Sequence, residues 1–232
     1  MSQVETQIKI KLPDGAERLL DKGQTGADLA KNISEGLYRK AVGVMINEEL
    51  RDLFTPLTDG DTVKILTPDS PEAIELLRHT TAHVLAQAVQ RLFPDAKIAI
   101  GPTIADGFYY DFDIPGHALS TEDLTQIEAE MKKIVSENQK LVRFNIPDVD
   151  QQLAEFKNQG EKFKAELLTE HRDHNPTLYL MQDKEGKTVW NDFCRGPHLP
   201  STGKIKAFKL LKVSGAYWRG DEKREQLQRI YA

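Results

Sequence analysis

Pro68 and Pro71, in the run Thr67-Pro68-Asp69-Ser70-Pro71, divide this 232-residue chain into two stretches with different local patterns. A proline fixes its own φ, lacks an N–H and biases the residue before it away from helix. At the first turn of a helix it is tolerated, and a serine beside it is a capping residue type. The segment therefore closes one unit and opens a long helix. Upstream, QIKIKL alternates as a strand, Pro13-Asp14-Gly15 makes a turn, and ERLLD returns as a second strand. Thr25 caps the helix GADLAKNI, whose Leu29 and Ile33 lie one turn apart. Then come the strand AVGVMIN, a tight turn at Asn47-Glu48-Glu49, the strand-like LRDLF, and TVKIL after Asp59-Gly60. Two strands, a helix and two or three further strands form a β-grasp, ubiquitin-like pattern over residues 1–68.

Downstream the pattern changes. Leu76, Leu77, Val84, Leu85, Ala88, Val89 and Leu92 fall near helical spacing and predict a helix from about Glu72 to Phe93. KIAIGPTIADGFYYDFDI reads as two strands around an Ala105-Asp106-Gly107 turn. Ser120-Thr121-Glu122-Asp123 caps an amphipathic helix reaching about Gln139. A strand at LVRFNI, a helix at DVDQQLAEF, the segment GEKFKAELL, and strands at TLYLMQ, TVWNDF and KAFKLLKVSGAYW complete residues 69–232. Strands and helices mix without βαβ regularity, so the class is α+β: a small β-grasp domain, then a larger α+β domain with an antiparallel sheet and a long helix.

Composition excludes several classes. One cysteine precludes an internal disulfide framework and makes a reducing cytoplasm the default location. No apolar run approaches the roughly 20 residues of a membrane span, and MSQVETQIKI lacks a signal peptide's apolar region, so no membrane partner is expected. No Walker-type glycine loop, dinucleotide fingerprint or G-x-S-x-G elbow is present. Net charge is −5, but Arg195–Arg229 holds nine Lys/Arg against three acids, a local +6 that leaves −11 for the rest. That tract could meet a phosphate backbone. Its plainer reading is a solvated face whose lysines protect strand edges.

The chemistry concentrates in two short segments. His79-Thr-Thr-Ala-His83 puts both imidazoles on one helix face. Cys194-Arg-Gly-Pro-His198 follows a strand end, with Gly-Pro marking a loop where sites are commonly built. Together they offer four side chains that could hold a metal, or hold and activate a water. Three of six histidines and the sole cysteine lie here. The alternatives are a closed zinc site that only staples the fold, or an inert cysteine beside an exposed histidine. In Gly107-Phe-Tyr-Tyr-Asp111, alternation puts Phe108 and Tyr110 on one face and Tyr109 on the other, so at least one belongs to the core. Trp218 reads as a core anchor. Lys164, among Glu161, Lys162 and Glu166, reads by itself as a solvated helix lysine.

HTTAHVLAQAVQRLFPDAKIAIGP, GFYYDFD, DFCRGPH and FKLLKVSGAYWRGDEKREQLQRIY resemble, in this order, the N-terminal half of bacterial threonyl-tRNA synthetases. The resemblance covers essentially the whole chain. It implies a TGS domain over residues 1–68, then an editing domain whose motif pair is shared with alanyl-tRNA synthetase editing domains and free-standing deacylases. The implied activity is hydrolysis of serine mischarged onto threonine tRNA, since one methyl discriminates by only about 10–200-fold and a second sieve is needed. Carried over residue by residue, His79 or His83, with Cys194 and His198, positions and deprotonates the water. Lys164 stabilises developing negative charge or holds the terminal ribose, Asp192 grips the α-ammonium, and Tyr110 and the Gly101 backbone line the seryl pocket. Lys204, Lys206, Lys209, Arg219 and Arg224 are the candidate phosphate contacts for tRNA. The threonyl branch implies no cofactor and no metal. Thr80 stands where the family usually has serine, and the aminoacylation core, the implied partner, would follow residue 232. The rival readings are a zinc-dependent alanyl-type trans-editing deacylase and a non-catalytic tRNA-binding fragment.

Overall fold

The computed structural model describes residues 6–232. Contacts gather them into two compact units: the chain up to Leu77 together with Gly196–Pro200, and Arg78–Arg195 with Ser201–Ala232.

In the first unit, β1 (Gln7–Lys11) and β2 (Glu17–Asp21) pair antiparallel around the expected turn. Helix α1 (Gly26–Ile33) begins at Thr25 with a full capping box: the Thr25 side chain accepts from the Asp28 N–H, and the Asp28 carboxylate accepts from the Thr25 N–H. Ser34 ends α1 and caps α2 (Glu35–Lys40), a helix the sequence reading did not anticipate. It is short and lays only Leu37, partly buried, on the core, so it carries no apolar period to detect. Strands β3 (Gly43–Ile46), β4 (Glu49–Arg51) and β5 (Val63–Leu66) form a sheet in the order β4-β3-β5. Between β3 and β4 only Asn47 and Glu48 intervene, both at positive φ (50° and 69°), the backbone a two-residue hairpin turn needs. The Asn47 side chain steadies it, donating to Asp61 Oδ1 and accepting from the Thr62 N–H. The strand expected over LRDLF stops at Arg51, because the chain then turns to seat Leu53 and Leu57 in the core with Ile10, Leu20, Leu29, Val44 and Val63. A parallel bridge from Lys11 to Thr62 joins the hairpin to the second sheet and completes the β-grasp.

Helix α3 (Ala73–Leu92) follows, with residues 80–89 all buried. Ser70 does not cap it by the expected route: its hydroxyl accepts from the Thr67 N–H at 3.0 Å, closing the turn between the prolines. In the second unit, the stretch expected as two strands forms three, β6 (Lys97–Ile98), β7 (Thr103–Ile104) and β8 (Gly107–Asp113), because Gly101 and Pro102 interrupt the first. Helix α4 (Thr121–Glu137) starts from the predicted capping box at Ser120. Strands β9 (Lys140–Asn145), β10 (Thr177–Gln182) and β11 (Thr188–Phe193) form an antiparallel sheet ordered β11-β10-β9. Helices α5 (Val149–Asn158) and α6 (Lys162–Glu170) share a core with it through Leu153, Phe156, Ala165, Leu168 and Leu178.

The final hairpin differs from expectation at both strands. Residues 206–211 are not strand, and β12 covers Lys212–Tyr217. Its partner β13 (Gln226–Tyr231) was missed, since its buried residues Leu227 and Ile230 break strict alternation. It nonetheless lies inside the five-stranded sheet, between β12 and β8, with β6 beyond β8 and β7 paired to β8. The described residues thus hold six α-helices and antiparallel sheets, the expected α+β class. No helix among them is long and apolar enough to cross a membrane.

Neighbouring residues of β2 separate core from surface: Leu20 is 2% exposed and Leu19 59%. Chemical denaturation should show Leu20→Ala costing about 2–5 kcal/mol, while Leu19→Ala changes stability by less than about 0.5 kcal/mol.

Candidate active site

Residues four apart on a helix share a face, and α3 sets the His79 and His83 rings 5.3 Å apart, edge to face. Cys194 leaves the end of β11 with its N–H donating to the Thr177 carbonyl, which ties it to β10. Its Sγ lies 3.1 Å from His79 Nε2, a hydrogen-bond contact. The donor atoms of His79, His83 and Cys194 all fall within 4.8 Å of one another. His198 is buried in Gly196–Pro200 of the first unit, where its N–H donates to Asp52 Oδ1 at 2.8 Å. These nitrogen and sulfur donors are zinc ligand types. Two ligands of one tetrahedral zinc would sit about 3.5 Å apart with lone pairs aimed at a common centre. The Cys194–His79 contact, at 3.1 Å, is shorter than that.

Beside this cluster lies a buried charge network from three other elements. Lys164 on α6 is 3% exposed, so the solvated-lysine reading of that residue is wrong. Its neighbours Phe163 and Ala165 and, one turn on, Leu168 are buried too, and the inward helix face takes Lys164 with it. Its Nζ lies 2.5 Å from Asp192 Oδ1 on β11 and donates to the Tyr110 hydroxyl of β8 at 3.0 Å. That hydroxyl in turn donates to Asp192 Oδ2 at 2.7 Å. His83 Nε2 faces the same oxygen at 3.5 Å. Both Asp192 oxygens are therefore engaged from within the chain, and a substrate ammonium would have to share them. Gly101 is placed by the same tyrosine: a Cβ there would overlap the Tyr110 ring.

The electrostatics divide these groups by role. Burial pulls the His83 imidazole down to about 3, with His79 and Lys164 adding to the effect and Asp192 opposing it. At neutral pH His83 is uncharged, so its approach to Asp192 is a polar contact and not an ion pair. Burial pushes the Asp192 carboxyl up, yet the Lys164 ammonium beside it, with His83 and the Tyr110 hydrogen bond, holds it below the usual carboxylate range. Burial also raises the Tyr110 hydroxyl well above its ordinary value, and the Asp192 charge raises it further, so Tyr110 stays a neutral donor.

A cavity of about 250 Å³ adjoins the network, lined in part by Gln90, Glu161, Lys164, Trp190, Asn191 and Asp192. The sequence reading did not single out Gln90, Glu161, Trp190 or Asn191. Polar residues on helices and alternating strands carry no local mark that they face a site. Part of the basic tract is neutralised within the second unit. Arg219 pairs with Glu166 and Glu170, Arg224 with Glu166 and Glu225, and Lys209 with Glu128. Lys206 is exposed, and Lys204 is partly buried, its ammonium depressed by that burial and then by Lys206. Trp218 is a core residue as expected, donating to Glu166.

Comparison with known proteins gives matches across the chain. Residues 8–67 match the TGS domain family, and residues 177–231 the family described as threonyl and alanyl tRNA synthetase second additional domain. Similar proteins include the threonine–tRNA ligases of Citrifermentans bemidjiense (47% identical over 225 residues), Anoxybacillus flavithermus (46% over 224) and Thermotoga maritima (47% over 227). Each alignment covers 97% of this chain and 34% of the relative, so the chain spans about a third of the length of these relatives.

The depressed His83 fixes a sign for stability against pH. Unfolded, the imidazole takes a proton as pH falls through about 6.5; folded, it resists to about 3. Within that window the unfolded state binds more protons, so stability falls as pH falls, by at most about 1.4 kcal/mol per pH unit from this group. Denaturation midpoints across the window should slope less steeply for His83→Gln than for the parent.

Proposed function

We propose, from the premise that this chain carries the TGS domain and the threonyl/alanyl second additional domain and is homologous to threonine–tRNA ligases, that its larger unit hydrolyses the ester joining serine to threonine tRNA. The observation that carries the reading is the convergence of His79, His83 and Cys194 beside the buried Lys164–Asp192 pair.

The geometry supports a division of roles. A general base works best with a pKa near the operating pH. His83, held near 3, is far from that, and the base proposed instead is His79, half-buried and in contact with Cys194. His83 then serves as a neutral polar wall beside the reacting centre. Lys164 is buried, and a preorganised ammonium there stabilises developing oxyanion charge better than solvent water does. Asp192 holds Lys164 and Tyr110 and shares its charge with the substrate's α-ammonium. Tyr110, packed against Gly101, bounds the space for the seryl side chain, and threonine's extra methyl is excluded there. The direct Cys194–His79 contact favours water activation by imidazole over zinc. In the longer relatives the partner would be an aminoacylation region whose errors this unit clears.

Three measurements follow. Purified protein should deacylate Ser-tRNA(Thr) at least tenfold faster than Thr-tRNA(Thr), in line with the discrimination one methyl permits. His79→Ala and Lys164→Ala should each lose about 100-fold or more, within the range for a general base or an oxyanion donor. Intact Ser-tRNA with a folded protein would refute the reading, and preference for Ser-tRNA(Ala) would favour the alanyl-type alternative. Elemental analysis should find no stoichiometric zinc, and chelators should leave the rate unchanged; zinc-dependent turnover would reverse that choice. For tRNA binding, exposed Lys206 and its near neighbour Lys204 are the candidates to change. Changing both to Ala should reduce the slope of log affinity against log salt by about 0.7–0.9 per lost phosphate contact. An unchanged slope would place the tRNA path elsewhere.

A further inference from the structure

Of the elements that bring the proposed catalytic residues to the site, β11 and α6 are each fastened near it to one side-chain amide of α3, that of Gln90. Gln90 lies seven residues beyond His83 on α3, two helical turns along the same face. Its Oε1 accepts from the Trp190 indole N–H at 2.7 Å, and Trp190 stands two residues before Asp192 on β11. Its Nε2 donates to Glu161 Oε1 at 3.1 Å, and Glu161 is the residue at the start of α6, three before Lys164. The same Nε2 donates to the Ala96 carbonyl at 3.1 Å, just ahead of β6. The Trp190 ring meets the His83 imidazole edge to face, centroids 5.6 Å apart. Glu161 has no side-chain cap to offer the helix it begins, so its carboxylate is left for Gln90.

We propose that Gln90 is a positioning residue for this site: through Trp190 it sets the orientation of His83 and the seat of Asp192, and through Glu161 the seat of Lys164. This rests on the hydrolytic reading above. The amide does two things a hydrophobic residue of the same size cannot. It accepts from one element and donates to another, so it fixes the spacing between β11 and the start of α6. That spacing is what lets Lys164 and Asp192 meet at 2.5 Å. Misplacing reacting groups by about 1 Å can cost about 100-fold in rate with binding little affected.

The test uses single-turnover deacylation of Ser-tRNA(Thr) by the full chain, with rate constant and half-saturation concentration measured separately. Gln90→Met keeps length and volume without the amide; Trp190→Phe keeps a ring against His83 without the N–H. We expect Gln90→Met to lower the rate constant by roughly 10- to 100-fold, with half-saturation within about twofold and the protein still folded at the assay temperature. The double variant should be no slower than Gln90→Met alone, because both changes break the same bond. An unchanged rate in Gln90→Met, or losses that multiply in the double variant, would overturn the proposal. If Gln90→Met does not fold, Trp190→Phe carries the test: a slower rate at unchanged thermal midpoint supports it, an unchanged rate overturns it. An inactive parent would instead overturn the hydrolytic reading, which keeps the two failures apart.

Discussion

Burying a lysine and an aspartate together is a costly arrangement, and much of the second unit is organised so that it can persist. Each ion loses several kcal/mol of hydration on leaving water, and their attraction offsets this only with close geometry and satisfied hydrogen bonds. Lys164 and Asp192 meet those conditions: 2.5 Å between Nζ and Oδ1, with the Tyr110 hydroxyl accepting from one and donating to the other. Meeting them requires α6, β11 and β8 to arrive together. The core shared by α5, α6 and the β9–β11 sheet holds the first two. Phe163 packed on Trp218, together with Leu227 of β13, links α6 to the sheet that contains β8. Removing one partner would leave a buried charge uncompensated, so the pair resists piecemeal change.

The same burial separates the two histidines. His83 faces Asp192 but lies too deep to hold a proton, whereas His79, one turn earlier, is half-buried and touches the thiol. A helix thus presents two chemically identical side chains to one site at different depths. The neutral imidazole adds no second positive charge beside Lys164, which would otherwise weaken the pair.

Local signals in the sequence located most elements. Thr25 and Ser120 announce their helices because a capping box is a property of four consecutive residues. Pro68 and Pro71 mark a break because proline acts on its own backbone. The His79/His83 pair and Cys194 were visible as rare residue types at short spacing. Lys164 was not visible as a buried residue, since its partners Tyr110 and Asp192 lie 54 and 28 residues away and the residues two positions to either side, Lys162 and Glu166, are charged. Only family resemblance marked it. Gln90 had no signal of either kind: an amide on a long helix reads as surface until the tryptophan and glutamate that meet it are known. The short helix at Glu35–Lys40 and the strand at Gln226–Tyr231 escaped for the related reason that neither has a regular apolar period.

Seryl transfer to water at this cluster requires that an aminoacyl ester bind with its carbonyl beside His79 and Cys194 and its charged groups against Lys164 and Asp192. The most direct measurement is a crystal structure of the chain with a seryl-adenosine analogue in which an amide replaces the ester. The account predicts the seryl carbonyl within hydrogen-bond reach, or one bridging water, of His79 Nε2, and the serine side chain against Tyr110. A ligand seated elsewhere on the chain, or one that leaves His79, Lys164 and Tyr110 untouched, would contradict it.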